Sequence, residues 1–325
     1  MKMLPVWLST LALCSAALLP GLSQAQDYPS KPVIIVVPSP PGGGFDLNGR
    51  LMAEGLTKHL GGTFVVENRT GAGTLIGTQT AKNAAPDGYT LVVGGLSNMI
   101  FNAALYKDPK YDPQTDFVPV ELLTTFPYAL VARPDLPTKD FKELVAYARA
   151  NPGKLTIGTA GPGTGQHIMA EALINYADIK LTMVPYRGAQ AAYQDLLAGR
   201  IDLFVDSYTT IRPFKESGKV KALLITSPKR MAMMSDVPTA RELGLPSLEA
   251  GSWLGLFAPA KTPPAIIEKL RTAIVAMKKD DEPRGKLEKS GVELMALSPA
   301  QTRAFVKSEY ETWVAFIKKA GIALD

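Results

Sequence analysis

The sequence is built on one recurring unit, in which a short apolar run is followed by a glycine-rich turn and then by an amphipathic stretch. The run from Val33 to Val37 is apolar at every position, which is typical of a parallel strand buried on both faces. Six further runs of this kind follow: Phe64–Val66, Tyr89–Val93, Tyr128–Ala132, Leu155–Ile157, Met183–Val184 and Ile201–Val205. Strands that alternate with helices predict an α/β fold with largely parallel sheets.

The amphipathic stretches predict helices with recognisable ends. One set of apolar residues recurs at helical spacing: Ala189, Ala192, Tyr193, Leu196 and Leu197. Gly199 then supplies a C-terminal stop. Ser298-Pro299-Ala300-Gln301 is a capping box with proline at the first helical position, and the helix that it begins is expected to end at Gly321.

Two turn-rich stretches divide the chain into two lobes. Residues 111–127 contain three prolines, and residues 227–248 contain three prolines and a glycine. We interpret both stretches as crossings between domains, so that 126–228 forms domain II while domain I combines 26–125 with 229–325. Because two segments connect the domains, their relative motion is restricted to opening and closing.

The first 25 residues read as a secretory signal peptide. Lys2 is their only charge, residues 8–19 form a short apolar run, and Ser23-Gln24-Ala25 places small residues at the −3 and −1 positions of a cleavage site after Ala25. A membrane anchor needs roughly 20 apolar residues, and Pro20 and Gly21 disfavour that alternative. The sequence therefore predicts an exported protein.

Composition excludes several classes of site. Among the 325 residues the only cysteine, Cys14, lies in the predicted signal peptide, so a disulfide framework or a cysteine-based metal cluster is excluded. Two histidines, His59 and His167, are too few for a three-histidine metal site. The 35 basic and 30 acidic residues leave a formal charge of +5, which does not by itself imply nucleic acid. We expect no metal, no cofactor and no nucleic-acid partner.

The enzyme alternative, an exported α/β hydrolase, finds little support in the sequence. It would need a G-x-S-x-G elbow, and the nearest serine turn, Gly95-Leu96-Ser97-Asn98-Met99, lacks the closing glycine. No H-E-x-x-H motif occurs, and no cysteine nucleophile remains after removal of the signal peptide. We therefore expect binding without chemistry.

Three glycine-rich turns follow apolar runs, at residues 38–46, 67–77 and 159–167. None continues as Gly-Lys-Ser/Thr, and the G-x-G-x-x-x-G of the second is one residue longer than the dinucleotide fingerprint. A turn between a strand and a helix places backbone N–H groups at the helix N-terminus, where they suit an anion. The first and third turns contain no Lys or Arg. We favour ligand contact for these two and a simple βα turn for Gly71–Gly77, the alternative being that all three only make tight turns.

Seven motifs occur in a fixed order along the chain: Tyr28-Pro29-Ser30-Lys31-Pro32, Pro40-Pro41-Gly42-Gly43-Gly44-x-Asp46, Val66-Glu67-Asn68-Arg69-x-Gly71-Ala72-Gly73, Ala85-Pro86-Asp87-Gly88-Tyr89-Thr90, Val184-Pro185-Tyr186-Arg187-Gly188, Gly199-Arg200-Ile201-Asp202-Leu203 and Asp236-Val237-Pro238-Thr239. In these motifs the chain closely resembles the tripartite tricarboxylate transporter receptor (Bug) family. The resemblance implies a periplasmic binding protein of type II with two α/β lobes, a discontinuous first lobe and a Venus-flytrap shape. It also implies a monomer that passes a small carboxylate to a membrane permease or, alternatively, to a membrane sensor kinase.

The resemblance also implies which residues face the ligand. They come from the turn after the first strand (Ser39, Gly43, Gly44, Phe45 and Asp46), from the turn after the third (Leu96 and Ser97), and from the inserted domain (Thr159, Ala160, Thr164, Gly165, Gln166, His167 and Asp206). The Thr164 hydroxyl is expected to hold a carboxylate, and Asp206 to accept from a donor on the ligand. Asp46 can instead be an N-cap of the following helix. His167 can instead be a packing residue at a helix start.

Two positions depart from the family pattern. Ser39 stands where a large or aromatic residue is common, and Phe45 stands where a small hydroxyl residue is common. Phe45 would place an aromatic face beside the bound carboxylate. The hypothesis is a ligand with an aromatic body, the alternative being that Phe45 packs inward.

Overall fold

The computed structural model describes residues 28–290 and 292–324. The predicted signal peptide and its cleavage site lie outside these residues. No helix in the described part of the chain has the length and apolarity needed to cross a bilayer.

Strands and helices alternate along most of the described chain, as predicted. The strands are β1 (Val33–Val37), β2 (Phe64–Asn68), β3 (Thr90–Gly95), β4 (Phe117–Ala132), β5 (Thr156–Thr159), β6 (Thr182–Pro185), β7 (Leu203–Ser207), β8 (Lys221–Ile225), β9 (Gly251–Pro259) and β10 (Glu293–Leu294). The helices are α1 (Gly44–Leu60), α2 (Leu75–Lys82), α3 (Asn102–Leu105), α4 (Phe141–Ala150), α5 (Gly165–Ala177), α6 (Ala189–Leu197), α7 (Tyr208–Glu216), α8 (Pro264–Met277), α9 (Asp281–Ser290) and α10 (Pro299–Ala320).

The first lobe is built on a sheet with strand order β2-β1-β3-β9-β4. Its first three strands are parallel, whereas β9 runs antiparallel to both β3 and β4. Helices α1 and α8 pack on one face of this sheet, where their apolar residues join those of the strands in one core cluster. The capping box at Ser298 starts α10 and Gly321 is its C-cap, so both predicted ends are confirmed.

The second lobe is built on a sheet with strand order β6-β5-β7-β4-β8. Helices α6 and α7 pack on one of its faces. The strand β4 belongs to both sheets, because residues Phe117–Pro127 pair with β9 and residues Tyr128–Ala132 pair with β7 and β8. The chain leaves the first sheet through β4 and returns to it through β9, so the first lobe is discontinuous.

Two expectations about the strands were wrong. The strand predicted to begin at Tyr128 begins at Phe117, because Pro119 and Pro127 are accommodated within β4. The sheets are not largely parallel, because β4 and β9 run antiparallel to their described neighbours. The remaining apolar residues form a core that runs through both lobes, and Trp253 and Trp313 are buried in it.

Candidate functional site

The turns singled out in the sequence lie at the C-terminal ends of parallel strands. The turn 38–43 joins β1 to α1, Leu96 follows β3, the turn 160–164 joins β5 to α5, and Asp206 lies near the end of β7. In open α/β sheets this edge is where ligands bind. Within the described residues no group of three or more His, Cys, Asp or Glu is placed to hold a metal ion.

Asp46 organises the turn before α1. Its carboxylate accepts hydrogen bonds from the Gly42 amide (2.9 Å), from Arg50 Nε (3.0 Å) and from Asn68 Nδ2 (3.0 Å). Burial alone would raise the pKa of Asp46, but these hydrogen bonds outweigh it and hold the pKa below its usual value. The N-cap alternative is wrong, because Gly43 is the N-cap and Asp46 is the third helical residue.

The rest of this turn leaves backbone exposed at the start of α1. Gly43 and Gly44 are exposed, and the first N–H groups of a helix have no partner within the helix. Ser39 is half-buried and its carbonyl oxygen accepts from Asn68 Nδ2 at 3.0 Å. The half-buried Phe45 ring lies over Gly95, where a Cβ would be 3.3 Å from the ring's Cζ.

Leu96 and Ser97 are both buried after β3. Ser97 begins a helical segment whose first turn, Ser97–Phe101, is a π-helix, a form frequent at functional sites. The Asn98 side chain fixes this turn, because it accepts from the Gly95 amide (2.9 Å) and donates to the Val93 carbonyl (3.1 Å).

In the third turn the Thr164 hydroxyl serves the protein itself. It donates to the Gly161 carbonyl oxygen at 2.7 Å and accepts from the His167 amide at 3.3 Å, which makes Thr164 the N-cap of α5. The Thr164 hydroxyl therefore caps α5, and its hydrogen bond to a ligand carboxylate stays a prediction. Gly165 and Gln166 follow as the first residues of the helix, so their amides remain at its N-terminus.

Three other predicted residues shape this turn. Thr159 is buried, and the carbonyls of Thr159 and Ala160 accept from the Tyr186 and Gly188 amides at 3.0 and 3.2 Å. The half-buried His167 ring accepts through Nδ1 from the Gly163 amide at 3.4 Å, and burial lowers its pKa. His167 therefore acts here as a packing residue that supports the turn.

Asp206 lies beneath the first turn of α5 and is 3% exposed. Its Oδ1 accepts from Gln166 Nε2 (2.8 Å) and from the Ser207 amide (2.7 Å), while Oδ2 has no hydrogen-bond partner. Burial raises the pKa of Asp206 to about 6. Burial and the nearby Asp206 charge raise the pKa of Tyr193, whose hydroxyl also lacks a hydrogen bond of standard geometry.

The two lobes touch at a contact that we call the seam, formed by Gly73 and Asn102 of the first lobe and Pro162 and Gly163 of the second. A Cβ at Gly73 would lie 2.5 Å from the Pro162 carbonyl oxygen, and a Cβ at Gly163 would lie 3.4 Å from Asn102 Oδ1. The stretch Gly71–Gly77, expected only to make a βα turn, therefore also contacts the opposite lobe.

The sequence analysis assigned no role to Asn98 and Asn102, which hold the backbone after β3. Asn102 Nδ2 donates to Tyr111 Oη and to Thr74 Oγ1, both at 3.2 Å, and so connects the seam to the core. The two asparagines lie four residues apart just after β3, and this spacing on one helix face was the available signal.

These turns and lobes agree with one family. The model of the tripartite tricarboxylate transporter family receptor matches residues 49–322. The chain belongs to this receptor family. The resemblance seen in the seven motifs is thereby confirmed.

Three solved structures resemble the receptor along most of its length. The periplasmic binding protein BugD is 36% identical with a TM-score of 0.83, covering 91% of this chain and 99% of its own. Rpa4515 of R. palustris, solved with adipate, is 34% identical with a TM-score of 0.85, covering 91% and 99%. MatC from Rhodopseudomonas palustris, solved with bound malate, is 34% identical with a TM-score of 0.83, covering 89% and 100%. The type II periplasmic-binding-protein fold is thus confirmed for the receptor.

Proposed function

We propose that this receptor binds a small organic carboxylate in the cleft between its lobes and delivers it to the membrane permease of a tripartite tricarboxylate transporter. Residues 1–25 are proposed to direct it to the periplasm. The observation that carries the proposal is that α1 in the first lobe and α5 in the second both begin just after the C-terminal end of a parallel strand, and that the turns before these helices hold no Lys or Arg. Two relatives of similar fold were solved with adipate and malate, which are both carboxylates.

Main-chain amides supply enough free energy for such a ligand. Each hydrogen bond to a charged group contributes roughly 1.5–3 kcal/mol. Three or four of them support micromolar affinity, about −8 kcal/mol, after the costs of association. An exposed amide at a helix N-terminus also carries the positive end of the helix dipole.

We propose further that the ligand has an aromatic body. Phe45 is the second residue of α1, and its half-buried ring packs against the core of the first lobe and lies beside Gly95. An aromatic ring so placed favours stacking or edge contact with a second ring.

A panel of carboxylates tests both parts of the proposal. Purified receptor is titrated calorimetrically with benzoate, adipate, malate and citrate, and its thermal unfolding is followed with each compound. We expect at least one carboxylate to bind and to raise the melting temperature without being turned over, and benzoate to bind most tightly. Phe45→Leu should weaken benzoate more than adipate, because it removes the ring and keeps the apolar bulk.

Each part of the proposal has its own contrary outcome. Turnover of the stabilising compound would make the protein an enzyme. If adipate, malate or citrate binds more tightly than benzoate, the aromatic preference is wrong while the carboxylate receptor stands.

A further inference from the structure

Tyr128 stands where β4 passes from the first sheet to the second. Its amide donates to Thr226 Oγ1 at 2.8 Å and its carbonyl accepts from the Thr226 amide at 2.9 Å. The residue is 4% exposed. The backbone of Tyr128 is therefore fixed, and its side chain is directed by packing.

The hydroxyl end of this side chain lies against the N-terminus of α5. A Cβ at Gly165, the first residue of α5, would collide with the Tyr128 hydroxyl oxygen and would lie 3.0 Å from Cζ. Glycine at this position is thus required by the hydroxyl. The hydroxyl consequently lies beside the amides that begin α5.

The hydroxyl has few partners inside the protein. Ser252 on β9 lies within hydrogen-bonding reach of the hydroxyl, and the buried Asp206 carboxylate lies near enough for its charge to act on the hydroxyl. Burial raises the pKa of Tyr128, so the hydroxyl keeps its proton at neutral pH. It is a neutral donor held at the place where the helix amides are also free.

We propose that the Tyr128 hydroxyl is a ligand-binding group, which together with the first amides of α5 holds one carboxylate of the ligand. This inference rests on the proposed function, because it assigns a residue to the same carboxylate site. The neighbouring Thr164 hydroxyl cannot give its proton to that carboxylate while it donates to Gly161. Tyr128 supplies the side-chain donor that the turn otherwise lacks.

The test compares Tyr128→Phe with wild type, using whichever panel carboxylate binds wild type most tightly and the methyl ester of that compound. We expect the variant to lose affinity for the carboxylate by about 10- to 100-fold, the effect of one hydrogen bond to a charged group. Its affinity for the ester should change little. Tyr208→Phe is the matched control, because Tyr208 is a buried tyrosine at the start of α7, in the core cluster between the second sheet and helices α6 and α7.

A second variant checks the position of the hydroxyl. Gly165→Ala must displace the hydroxyl, so it should reproduce the affinity loss of Tyr128→Phe, and the double variant should lose little more. Melting temperatures of the unliganded variants show whether each remains folded. Equal carboxylate affinities of wild type and a folded Tyr128→Phe variant would overturn the inference and leave the carboxylate receptor intact. If wild type binds none of the carboxylates, the proposed function fails and the inference falls with it.

Discussion

Two buried aspartates at strand ends have opposite electrostatic environments. Asp46 accepts from three donors on different elements, including the Arg50 guanidinium, and its pKa is held low. Asp206 accepts from Gln166 and Ser207 through one oxygen only, and burial raises its pKa to about 6. Asp46 is therefore a fixed charge that shapes its turn, whereas Asp206 changes charge near neutral pH.

Asp206 makes stability depend on pH in a direction opposite to that of most carboxylates. Its folded pKa of about 6 exceeds the unfolded value of about 3.9. Between about pH 4 and 6 the folded state binds more protons, so the free energy of unfolding falls as the pH rises through that window. Above about pH 6 the ionised Asp206 lowers the free energy of unfolding by roughly 3 kcal/mol.

We expect Asp206→Asn to remove this contribution. The asparagine keeps an oxygen for Gln166 and Ser207 and carries no charge, so the variant should be more stable than wild type at pH 7.5 and nearly equal to it at pH 4. Urea unfolding at a series of pH values measures the difference. Parallel pH profiles for the two proteins would contradict this assignment.

Single residues could be predicted from the sequence where the signal is local. A threonine just before an amphipathic stretch is a common N-cap, and Thr164 has that role. The side-chain partner of Asp206 is Gln166, 40 positions away in the sequence. The Tyr128 hydroxyl lies against Gly165, which is 37 positions away. Such contacts depend on how the strands are ordered in the sheet, which no local pattern records.

At the scale of elements, β4 shows why one prediction was wrong. Proline removes a donor from a strand and normally argues against a central position. In β4 the register with β9 shifts between Pro119 and Glu121, which is a local irregularity at one of the two prolines. The sixteen-residue strand therefore crosses what the sequence indicated to be a linker.

The contact at the seam predicts the effect of a substitution at Gly73. Gly73→Ala adds a methyl group that would meet the Pro162 carbonyl oxygen of the opposite lobe, so the lobes cannot approach as closely as they do here. We expect the variant to bind the panel carboxylate at least tenfold more weakly, mainly through faster dissociation. Stopped-flow kinetics and small-angle scattering with ligand measure the two effects.

Gly321→Ala is the control for this variant. Gly321 has the same left-handed backbone, with φ +67° and ψ +25° against +56° and +43° at Gly73, but a Cβ there has open space around it. Both changes carry a similar backbone cost, so only the variant at the seam should lose affinity. Equal losses in the two variants would show that the seam does not control closure.

At the scale of the whole molecule, one apolar core joins the lobes. The cluster that holds Trp313 and Phe101 of the first lobe continues to Phe141 and Ile168 of the second. The shared strand β4 changes sheets between Pro127 and Tyr128, next to the beginning of the proposed domain II at residue 126. The molecule thus has two lobes, and one apolar core extends through both of them.

We expect the receptor to unfold in a single cooperative transition. Because breaking the second lobe would expose apolar residues of the shared core, neither lobe should melt alone. Differential scanning calorimetry should give one peak with equal calorimetric and van't Hoff enthalpies. Two separate peaks would mean that the lobes are independent folding units.

The α/β class, the positions of most helices and the glycine-rich turns at strand ends could be predicted from the sequence, because each has a signal within a few residues. The antiparallel direction of β9, the sharing of β4 and the seam between Gly73 and Pro162 could not. These features join residues that are far apart in the chain. The seven ordered motifs identified the family, although these long-range contacts could not be predicted from the sequence.

The absence of Lys and Arg from the turns before α1 and α5 has a consequence for how such receptors diversify. Every residue except proline carries the same backbone N–H. An anion site made of main-chain amides is therefore kept through most substitutions in these turns. A side chain beside the proposed anion site, such as Phe45, can then change while the main-chain amides proposed to hold the carboxylate stay in place. A new ligand body can be accepted by one or two substitutions while the hold on its carboxylate is inherited intact.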